Sequence, residues 1–263
     1  MINWHLFPAV PIRSHLIWGA KTCKAVADAS EGESTFAINY TDKRTSSSYS
    51  FSSGISYEVP KYDIFDDLFE YWNFDSVNST HAYDLGTNGN AAEKIDNAGF
   101  SAGKVGDAAV FDGSGDYLDI SSKHDLFDTA YTLSLWFKTE GQNGDMYEEM
   151  SPEPNVWVRM DAGVIEYNHY DGNCDLRIRV AGYDDGQWHH CVARRMNRTH
   201  TDLYLDGVRI GENSSVDCTL DSLAPWIGWR RIGEGFSGMI DDFMIWYRPL
   251  SSREIQALYE IQS

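Results

Sequence analysis

The segment DGSGD at residues 112–116 has the oxygen-rich and glycine-rich composition of two kinds of ligand-binding loop. An EF-hand calcium loop needs glycine at its sixth position and glutamate at its twelfth, but these positions hold Tyr117 and Lys123. A dinucleotide-binding loop needs a third glycine and opens a helix, whereas this segment lacks that glycine and is flanked by strand-like sequence. The segment therefore predicts a hairpin turn, with Phe111 on the strand before it and Leu118 on the strand after it.

Aromatic side chains are the second feature with a chemical use, because a sugar-binding site needs exposed rings beside polar groups. The chain has nine tryptophans. Three of them, Trp157, Trp226 and Trp229, lie near junctions of loops and strands, where a ring can stand in solvent. They are the candidate residues of a sugar platform. The alternative is that they belong to the hydrophobic core.

The adjacent histidines His189 and His190 offer imidazoles for acid–base catalysis or metal binding. Adjacent residues of a strand point to opposite faces, so the two rings cannot address one ligand. No serine lies in the glycine pattern of a nucleophile elbow. The sequence therefore predicts no catalytic residues.

The four cysteines are Cys23, Cys174, Cys191 and Cys218. None belongs to a C-x-x-C pair, so the sequence gives little support to a zinc site. Cys191 shares a strand face with Ala193, which predicts a small buried apolar side chain. The sequence leaves open whether Cys174 and Cys218 form a disulfide or stay as free thiols.

The elements that must position these residues are short β-strands. Segments that alternate apolar and polar residues recur from residue 61 onward; they include YTLSLWFKT (131–139), NVWVRMDAGVIEYNHY (155–170) and TDLYLDGVRIGE (201–212). Turn residues separate them, which predicts an all-β sandwich or barrel. A capping box formed by Ser251 and Glu254 predicts one short C-terminal helix.

Charge is divided unevenly along the chain. The formal net charge of −19 lies entirely in residues 61–263, because residues 1–60 contain five basic and five acidic side chains. This step predicts a docking arm or small β subdomain over 1–60 and a second domain over 61–263. Within the first part, TFAINYT (35–41) predicts a strand, and the serine-rich stretch 46–56 predicts a hairpin or a flexible linker.

The strongly negative net charge also restricts the classes of partner that the protein can bind. A protein of this charge repels phosphate backbones and anionic lipid surfaces, so nucleic acid is not an expected partner. The chain has no apolar run near the roughly 20 residues that span a bilayer, so membrane insertion is not expected either. Residues 1–29 have no basic start and contain two prolines within their apolar stretch, which is a poor match to a signal peptide.

Six segments in a fixed order resemble a laminin-G-like domain of the concanavalin A-like lectin/glucanase superfamily over roughly residues 65–263. They are LFEYWNFD (68–75), GKVGDAAVFDGSGDYLDI (103–120), YTLSLWFKT (131–139), GQWHHCVARR (186–195), LYLDGVRIGE (203–212) and FSGMIDDFMIWYRPLSSREIQALYE (236–260). The resemblance implies two antiparallel sheets packed as a jelly-roll sandwich. The segment GQNGDMYEEMSPEPN (141–155) departs from the family as an acidic insertion in place of a shorter hairpin.

The resemblance also implies a structural calcium ion where the first and last strands of the domain meet. The matching positions are Asp75 in WNFD and Asp241 or Asp242 in IDDF, and carboxylates are the ligands that this hard cation prefers. The alternative is that these aspartates cap turns or bind backbone amides.

Relatives in this superfamily include glycoside hydrolases, which carry Glu-x-Asp-x-Glu on one strand. No such triplet exists in this sequence. The nearest acidic cluster, Glu148, Glu149 and Glu153, lies in the proline-containing insertion and is predicted to be a loop, where a rigid carboxylate pair is hard to hold.

These observations favour a non-enzymatic recognition or structural module. We expect a virion protein, such as a capsid decoration, fibre or tail protein, which docks to an assembly partner through residues 1–60 and displays its second domain for binding host glycans. Such a protein is oligomeric or bound in an assembly. The alternatives are a secreted or cell-surface carbohydrate-binding adhesion module and an atypical glycoside hydrolase or lyase.

Overall fold

The computed structural model describes the backbone of residues 22–28, 35–41 and 48–49, and residues 64–65, 67–120, 130–141, 144–150, 155–214, 217–218, 225–230 and 233–263. It divides the chain into two compact units, residues 1–66 and 67–263.

The first unit contains a three-stranded antiparallel sheet of β1 (Thr22–Asp28), β2 (Thr35–Thr41) and β3 (Ser48–Tyr49), in that order. The predicted strand TFAINYT is confirmed as β2, and it pairs with β1 along its whole length. Of the predicted serine-rich hairpin, only β3 falls within the described part of the chain, and it pairs with β2.

The second unit is built from β-strands and one helix. In chain order, the first strands are β4 (Leu68–Trp72), β5 (His81–Tyr83), β6 (Ala91–Ile95), β7 (Gly99–Ala102), β8 (Asp107–Asp112), β9 (Tyr117–Ile120), β10 (Tyr131–Lys138), β11 (Gly144–Met150) and β12 (Asn155–Asp161). The others are β13 (Val164–Tyr170), β14 (Ile178–Ala181), β15 (His189–Asn197), β16 (His200–Leu205), β17 (Val208–Ser214), β18 (Pro225–Ile227), β19 (Trp229–Arg230), β20 (Glu234–Gly235) and β21 (Ser237–Trp246), followed by helix α1 (Ser252–Gln262).

Two eight-stranded antiparallel sheets form a jelly-roll sandwich, as predicted. Sheet I has the order β17-β16-β15-β10-β21-β8-β7, and β4 pairs with the second half of β21. Sheet II has the order β14-β13-β12-β11-β18-β9-β6-β5. The inner faces of both sheets supply one buried apolar core, which includes Leu135 and Phe243 from sheet I and Val158 and Ile227 from sheet II.

The outer face of sheet I is covered by α1. The predicted capping box is present, because the Ser251 hydroxyl accepts a hydrogen bond from the Glu254 amide and the Glu254 carboxylate accepts one from the Ser251 amide. Trp136 on β10 donates its indole N–H to Gln262 of α1 over 2.8 Å. Strand β10 is therefore buried on both faces, which explains its nearly continuous burial.

The structure corrects the predicted hairpin at DGSGD. Strands β8 and β9 do not pair with each other: β8 pairs with β7 and β21 of sheet I, and β9 pairs with β6 and β18 of sheet II. Residues 112–116 thus cross from one sheet to the other. The turn is held by local bonds, because the amide of Ser114 donates to Asp112 over 2.8 Å and the amide of Asp112 donates to Asp116 over 2.7 Å.

The prediction that Glu148 and Glu149 lie in a loop is also wrong. Both belong to β11, which pairs with β12 on one side and β18 on the other. The acidic segment forms a strand because Met146 and Tyr147 contribute to the core and anchor it. Glu153 lies outside the described residues.

The structure contains a disulfide between Cys174 and Cys218, and Cys191 is a free, buried thiol as its strand position predicted. Among the described residues, no helix is long and apolar enough to cross a membrane.

Candidate functional site

The outer face of sheet II carries a continuous row of residues that lie directly opposite one another in the strand pairing, one from each of seven neighbouring strands. The pairing register aligns them in the order His81, Glu93, Asp119, Trp226, Glu148, Trp157 and Asn168. These side chains point away from the core because their strand neighbours, such as Val158, Leu118 and Ile227, fill it. Trp226 and Trp157 are two strands apart, or about 10 Å, and Glu148 lies between them.

The aromatic side chains of this face form two groups. Tyr117, two residues before Asp119 on β9, places its ring 4.7 Å from the ring of Trp226 and 6.3 Å from that of Trp229. Trp157 lies 6.5 Å from Tyr170 on β13. All five are partly exposed. The structure thus brings the three sequence-predicted tryptophans to one surface, which we call the aromatic face, and adds Tyr117 and Tyr170.

Polar groups hold the Trp157 ring in place. Its indole N–H donates to Glu166 over 2.7 Å, and the guanidinium of Arg159 lies 5.2 Å from the ring centroid. Glu166 is fully buried and forms ion pairs with Arg159 at 2.8 Å and Arg179 at 3.3 Å. Because its N–H is occupied, Trp157 presents the face of its ring rather than a hydrogen-bond donor.

Two of the predicted calcium ligands, Asp75 and Asp241, lie beside sheet I and contact the loop of residues 103–107. Asp241 accepts the amides of Lys104 and Val105 over 2.8 and 2.9 Å, and Asp75 accepts the amide of Asp107 over 2.7 Å. Burial raises the pKa of Asp241 to about 7, and the charge of nearby Asp75 adds to the increase.

Asp242 is enclosed under α1. Its two oxygens accept hydrogen bonds from the Tyr71 hydroxyl over 2.7 Å and from the Gln262 amide over 2.8 Å. Burial raises its pKa to about 8, and the charge of Asp241 contributes. A positive φ of 45° at Asp242 accompanies a shift in the register of β21 against β10, between the pairs Trp136–Asp241 and Ser134–Met244.

This donor set does not fit a calcium ion. Calcium needs six to eight oxygens directed at one point, whereas each carboxylate oxygen of Asp75, Asp241 and Asp242 already accepts an N–H or O–H bond. The hydrogen-bond pattern is that of the alternative stated above, in which the aspartates hold backbone amides and turns. Structural calcium stays a prediction of the family resemblance.

A second cluster has metal-ligand residue types, and the sequence did not point to it. His200, Asp202 and Glu212 lie close together on β16 and β17. However, Arg209 already donates to Asp202 over 3.2 Å and to Glu212 over 2.6 Å. Its guanidinium supplies the positive charge that a cation would bring, so the cluster is an ion-pair network.

Neither candidate catalytic pair converges on one ligand. Glu148 points to the aromatic face, whereas Glu149 points into the sandwich and accepts a hydrogen bond from the Tyr147 hydroxyl. His190 is buried under α1 beside Ser134, and His189 lies against Phe137 at the edge of the core. In both pairs the two neighbours face opposite sides of a strand, as predicted for the histidines.

The sequence of the sandwich matches a known family. A family model of the concanavalin A-like lectin/glucanases superfamily, of the laminin G type, matches residues 112–256, which is more than half of the chain. The chain belongs to this superfamily. A comparison with curated protein sequences finds no significant match.

Solved structures of the same fold include toxin binding domains. The chain is similar to the botulinum neurotoxin serotype D binding domain, with a TM-score of 0.64 and 16% identity over 74% of this chain and 52% of that one. A structure of the serotype D ligand-binding domain in complex with N-acetylneuraminic acid gives a TM-score of 0.62 with 15% identity over 74% of this chain and 51% of that one. The chain thus spans about half the length of these toxin domains.

Domain 4 of AbnA, a GH43 extracellular arabinanase from Geobacillus stearothermophilus, solved in complex with arabinotriose, is covered almost completely. Its TM-score is 0.61, with 18% identity over 73% of this chain and 98% of that domain. At these identities the likeness shows a shared fold, and the ligands in those structures are facts about those proteins.

Several residues of the aromatic face were missed from sequence alone. Glu166, Asn168 and Tyr170 alternate along β13 and therefore lie on its outer face. In the pairing of β12 with β13, Asn168 lies opposite Trp157 and Glu166 lies opposite Arg159. The period-2 pattern of VIEYNHY contained this signal, but it did not show which strand would lie beside β12.

Proposed function

We propose that this protein is a non-enzymatic recognition module that binds glycans through the aromatic face of sheet II. The observation that carries the proposal is the row in which Trp226 and Trp157 flank Glu148 on one outer sheet face. Partly exposed aromatic rings on one sheet face provide stacking surfaces for sugar rings. Two solved domains of the same fold contain arabinotriose and N-acetylneuraminic acid, which supports a glycan as the ligand class.

The test is a glycan array followed by calorimetric titration of the full chain. We expect binding to at least one glycan, and a loss of about tenfold or more in affinity for Trp226→Ala and Trp157→Ala. Tyr247→Ala is the matched control, because Tyr247 is also a partly exposed aromatic residue but stacks on Phe69 next to sheet I. No binding across a broad array, or equal loss in the control, would overturn the proposal.

We also propose that residues 1–60 dock the protein to an assembly partner, with a virion surface as the setting. Two facts support this: residues 1–60 have balanced charge whereas the rest of the chain is strongly acidic, and the first unit forms a sheet of its own. Crosslinking of the native material should join Lys21, Lys24 or Lys43 to another structural protein. Crosslinks to such a partner only from residues 61–263 would contradict the docking proposal.

A further inference from the structure

Tyr83 is the most exposed large apolar side chain among the described residues of sheet II, with 48% of its surface accessible. It lies on β5, at one edge of the sheet. Its strand neighbour Ala82 and the facing Ala92 are fully buried in the core, so Tyr83 points to the opposite side. Tyr83 therefore shares the outer face of sheet II with Trp157 and Trp226.

The neighbours of Tyr83 hold its side chain and leave the ring open to solvent. Its phenolic oxygen accepts a hydrogen bond from the side-chain amide of Asn78 over 2.6 Å. The residue directly opposite on β6 is Ala91, whose methyl group is too small to cover an aromatic ring. The ring is thus accessible to a ligand and already restrained before the ligand binds, which reduces the entropy that binding would cost.

The strand order places Tyr83 at the far end of a line of rings that begins at Trp157. The strands between them are β11, β18, β9 and β6. Tyr83 therefore lies five strand spacings, or about 24 Å, from Trp157 and three spacings, or about 14 Å, from Trp226. Its neighbour His81 belongs to the cross-strand row through Trp226, so Tyr83 is offset from that row by two residues along the strand.

Glu93 supplies a hydrogen-bonding group between Trp226 and Tyr83. It lies on β6, opposite Asp119 on one side and His81 on the other, and its side chain is exposed. Its carboxylate oxygens can accept hydrogen bonds from hydroxyl groups. A carbohydrate chain that runs from Trp226 to Tyr83 therefore passes an accessible acceptor.

The distances between the three rings favour an extended ligand. One residue of an extended glycan chain advances by about the spacing of two neighbouring strands, so a chain that crosses from β12 to β5 places one sugar over each strand. A β-1,4-linked chain of glucose or xylose is extended in this way. An α-1,4-linked glucose chain coils instead and would leave the sheet before it reached Tyr83.

We infer that Tyr83 forms a third platform on the outer face of sheet II and that the ligand is an extended polysaccharide segment of about six sugar residues. This inference rests on the proposed glycan-binding function, and it adds a binding residue and the chain geometry of the ligand. The first sugar stacks on Trp157, the third stacks on Trp226 and the sixth stacks on Tyr83.

The experiment titrates the full chain with linear oligosaccharides of two lengths. Cellotriose, cellohexaose, xylotriose and xylohexaose are the extended probes, and maltotriose and maltohexaose are the coiled probes. We expect an extended hexasaccharide to bind about tenfold more tightly than its trisaccharide, with no comparable gain for maltohexaose. Tyr83→Ala should remove this gain and leave the affinity for the trisaccharide unchanged, because the trisaccharide reaches only Trp157 and Trp226.

Two further variants separate recognition from folding. Tyr83→Phe keeps the ring and loses only the phenolic oxygen, so it should retain the gain. Tyr247→Ala removes another exposed tyrosine, which stacks on Phe69 next to sheet I, and should also retain the gain. Thermal unfolding should give Tyr83→Ala a Tm close to that of the wild type, because nearly half of the side chain is already in contact with water.

Each other outcome points to a different failure. If an extended trisaccharide binds through Trp226 but the hexasaccharide shows no gain, or the gain survives in Tyr83→Ala, the inference fails and the proposed function stands. An equal gain for maltohexaose, or array binding only to short or branched glycans, would also overturn the inference. If neither these probes nor a broad array bind at all, the proposed function fails as well.

Discussion

Trp157 and Trp226 lie two strands apart in one cross-strand row of sheet II, with the carboxylate of Glu148 between them. They are separated by about 70 residues of sequence, and strand β11 brings them to a distance of about 10 Å. The two tryptophans therefore offer two aromatic rings on one sheet face, and these rings are the two platforms of the proposed sugar-binding site.

The spacing of the two platforms predicts a dependence of affinity on ligand length. One sugar ring covers one platform, so a trisaccharide that reaches both should bind at least tenfold more tightly than the monosaccharide from which it is built. In Trp226→Ala this gain should shrink to a small factor, because only the Trp157 platform remains. Calorimetric titration of both ligands against both proteins measures the effect. A gain that survives in the variant would show that the longer ligand does not reach Trp226.

The disulfide is expected to contribute strongly to stability. It joins residues 44 positions apart, and closing a loop of this length in the unfolded chain stabilises the fold by about 4 kcal/mol in the chain-entropy model. The Cys218 carbonyl also accepts a 2.6 Å hydrogen bond from buried Arg195, which the crosslink helps to position. Urea unfolding should therefore show a loss of about 2–5 kcal/mol for Cys174→Ser with Cys218→Ser.

Dithiothreitol provides the control for the disulfide prediction. It should destabilise the wild-type protein but not the double variant, because the variant has no disulfide to reduce. Equal sensitivity of the two proteins would contradict the assignment of this contribution to the crosslink.

The buried imidazole of His190 predicts a loss of stability in acid. Burial between Trp136 and Tyr259 lowers its pKa from 6.5 to about 3. The unfolded chain therefore takes up a proton at His190 below pH 6.5 that the folded chain refuses until about pH 3, so this residue favours unfolding increasingly as the pH falls through that range. His190→Gln should have a shallower decline of the urea midpoint between pH 7 and pH 4.

The comparison with the variant isolates this effect from other groups. His169 is also buried with a lowered pKa and acts in the same direction, whereas the raised pKa values of Asp241 and Asp242 favour folding as the pH falls from 8 toward 4. Partly exposed His81 supplies the control His81→Gln, which should follow the wild-type profile. Parallel profiles for His190→Gln and wild type would rule out the proposed contribution.

The hydrogen bonds of Asp75 and Asp241 predict the response to calcium. Because their oxygens hold the amides of residues 104, 105 and 107, calcium or a chelator should leave Tm unchanged. Asp241→Asn should lower Tm, because one of the two carboxylate oxygens becomes an NH2 group that cannot accept these bonds. A rise in Tm with calcium that Asp241→Asn abolishes would instead establish the site that the family resemblance implies.

The fold was readable from the sequence because its signals are local. Alternating segments such as YTLSLWFKT and NVWVRMDAGVIEYNHY specify strands by side-chain period, and Ser251 with Glu254 specifies the start of α1 by capping chemistry. The acidic segment of β11 was misread as a loop because one of its buried partners, Ile227, which pairs with Tyr147, comes from a distant position in the sequence.

The sequence did not show which strands pair with each other. DGSGD looked like a hairpin because two strands that pair and two strands that face each other across a core carry the same period-2 pattern. The sequence by itself determined that this protein is a β-sandwich with candidate aromatic residues at 157, 226 and 229. Only the tertiary structure decided that these rings share one outer face and that Asn168 lies opposite Trp157 in the next strand. Strand order and register arise from contacts between residues far apart in the chain.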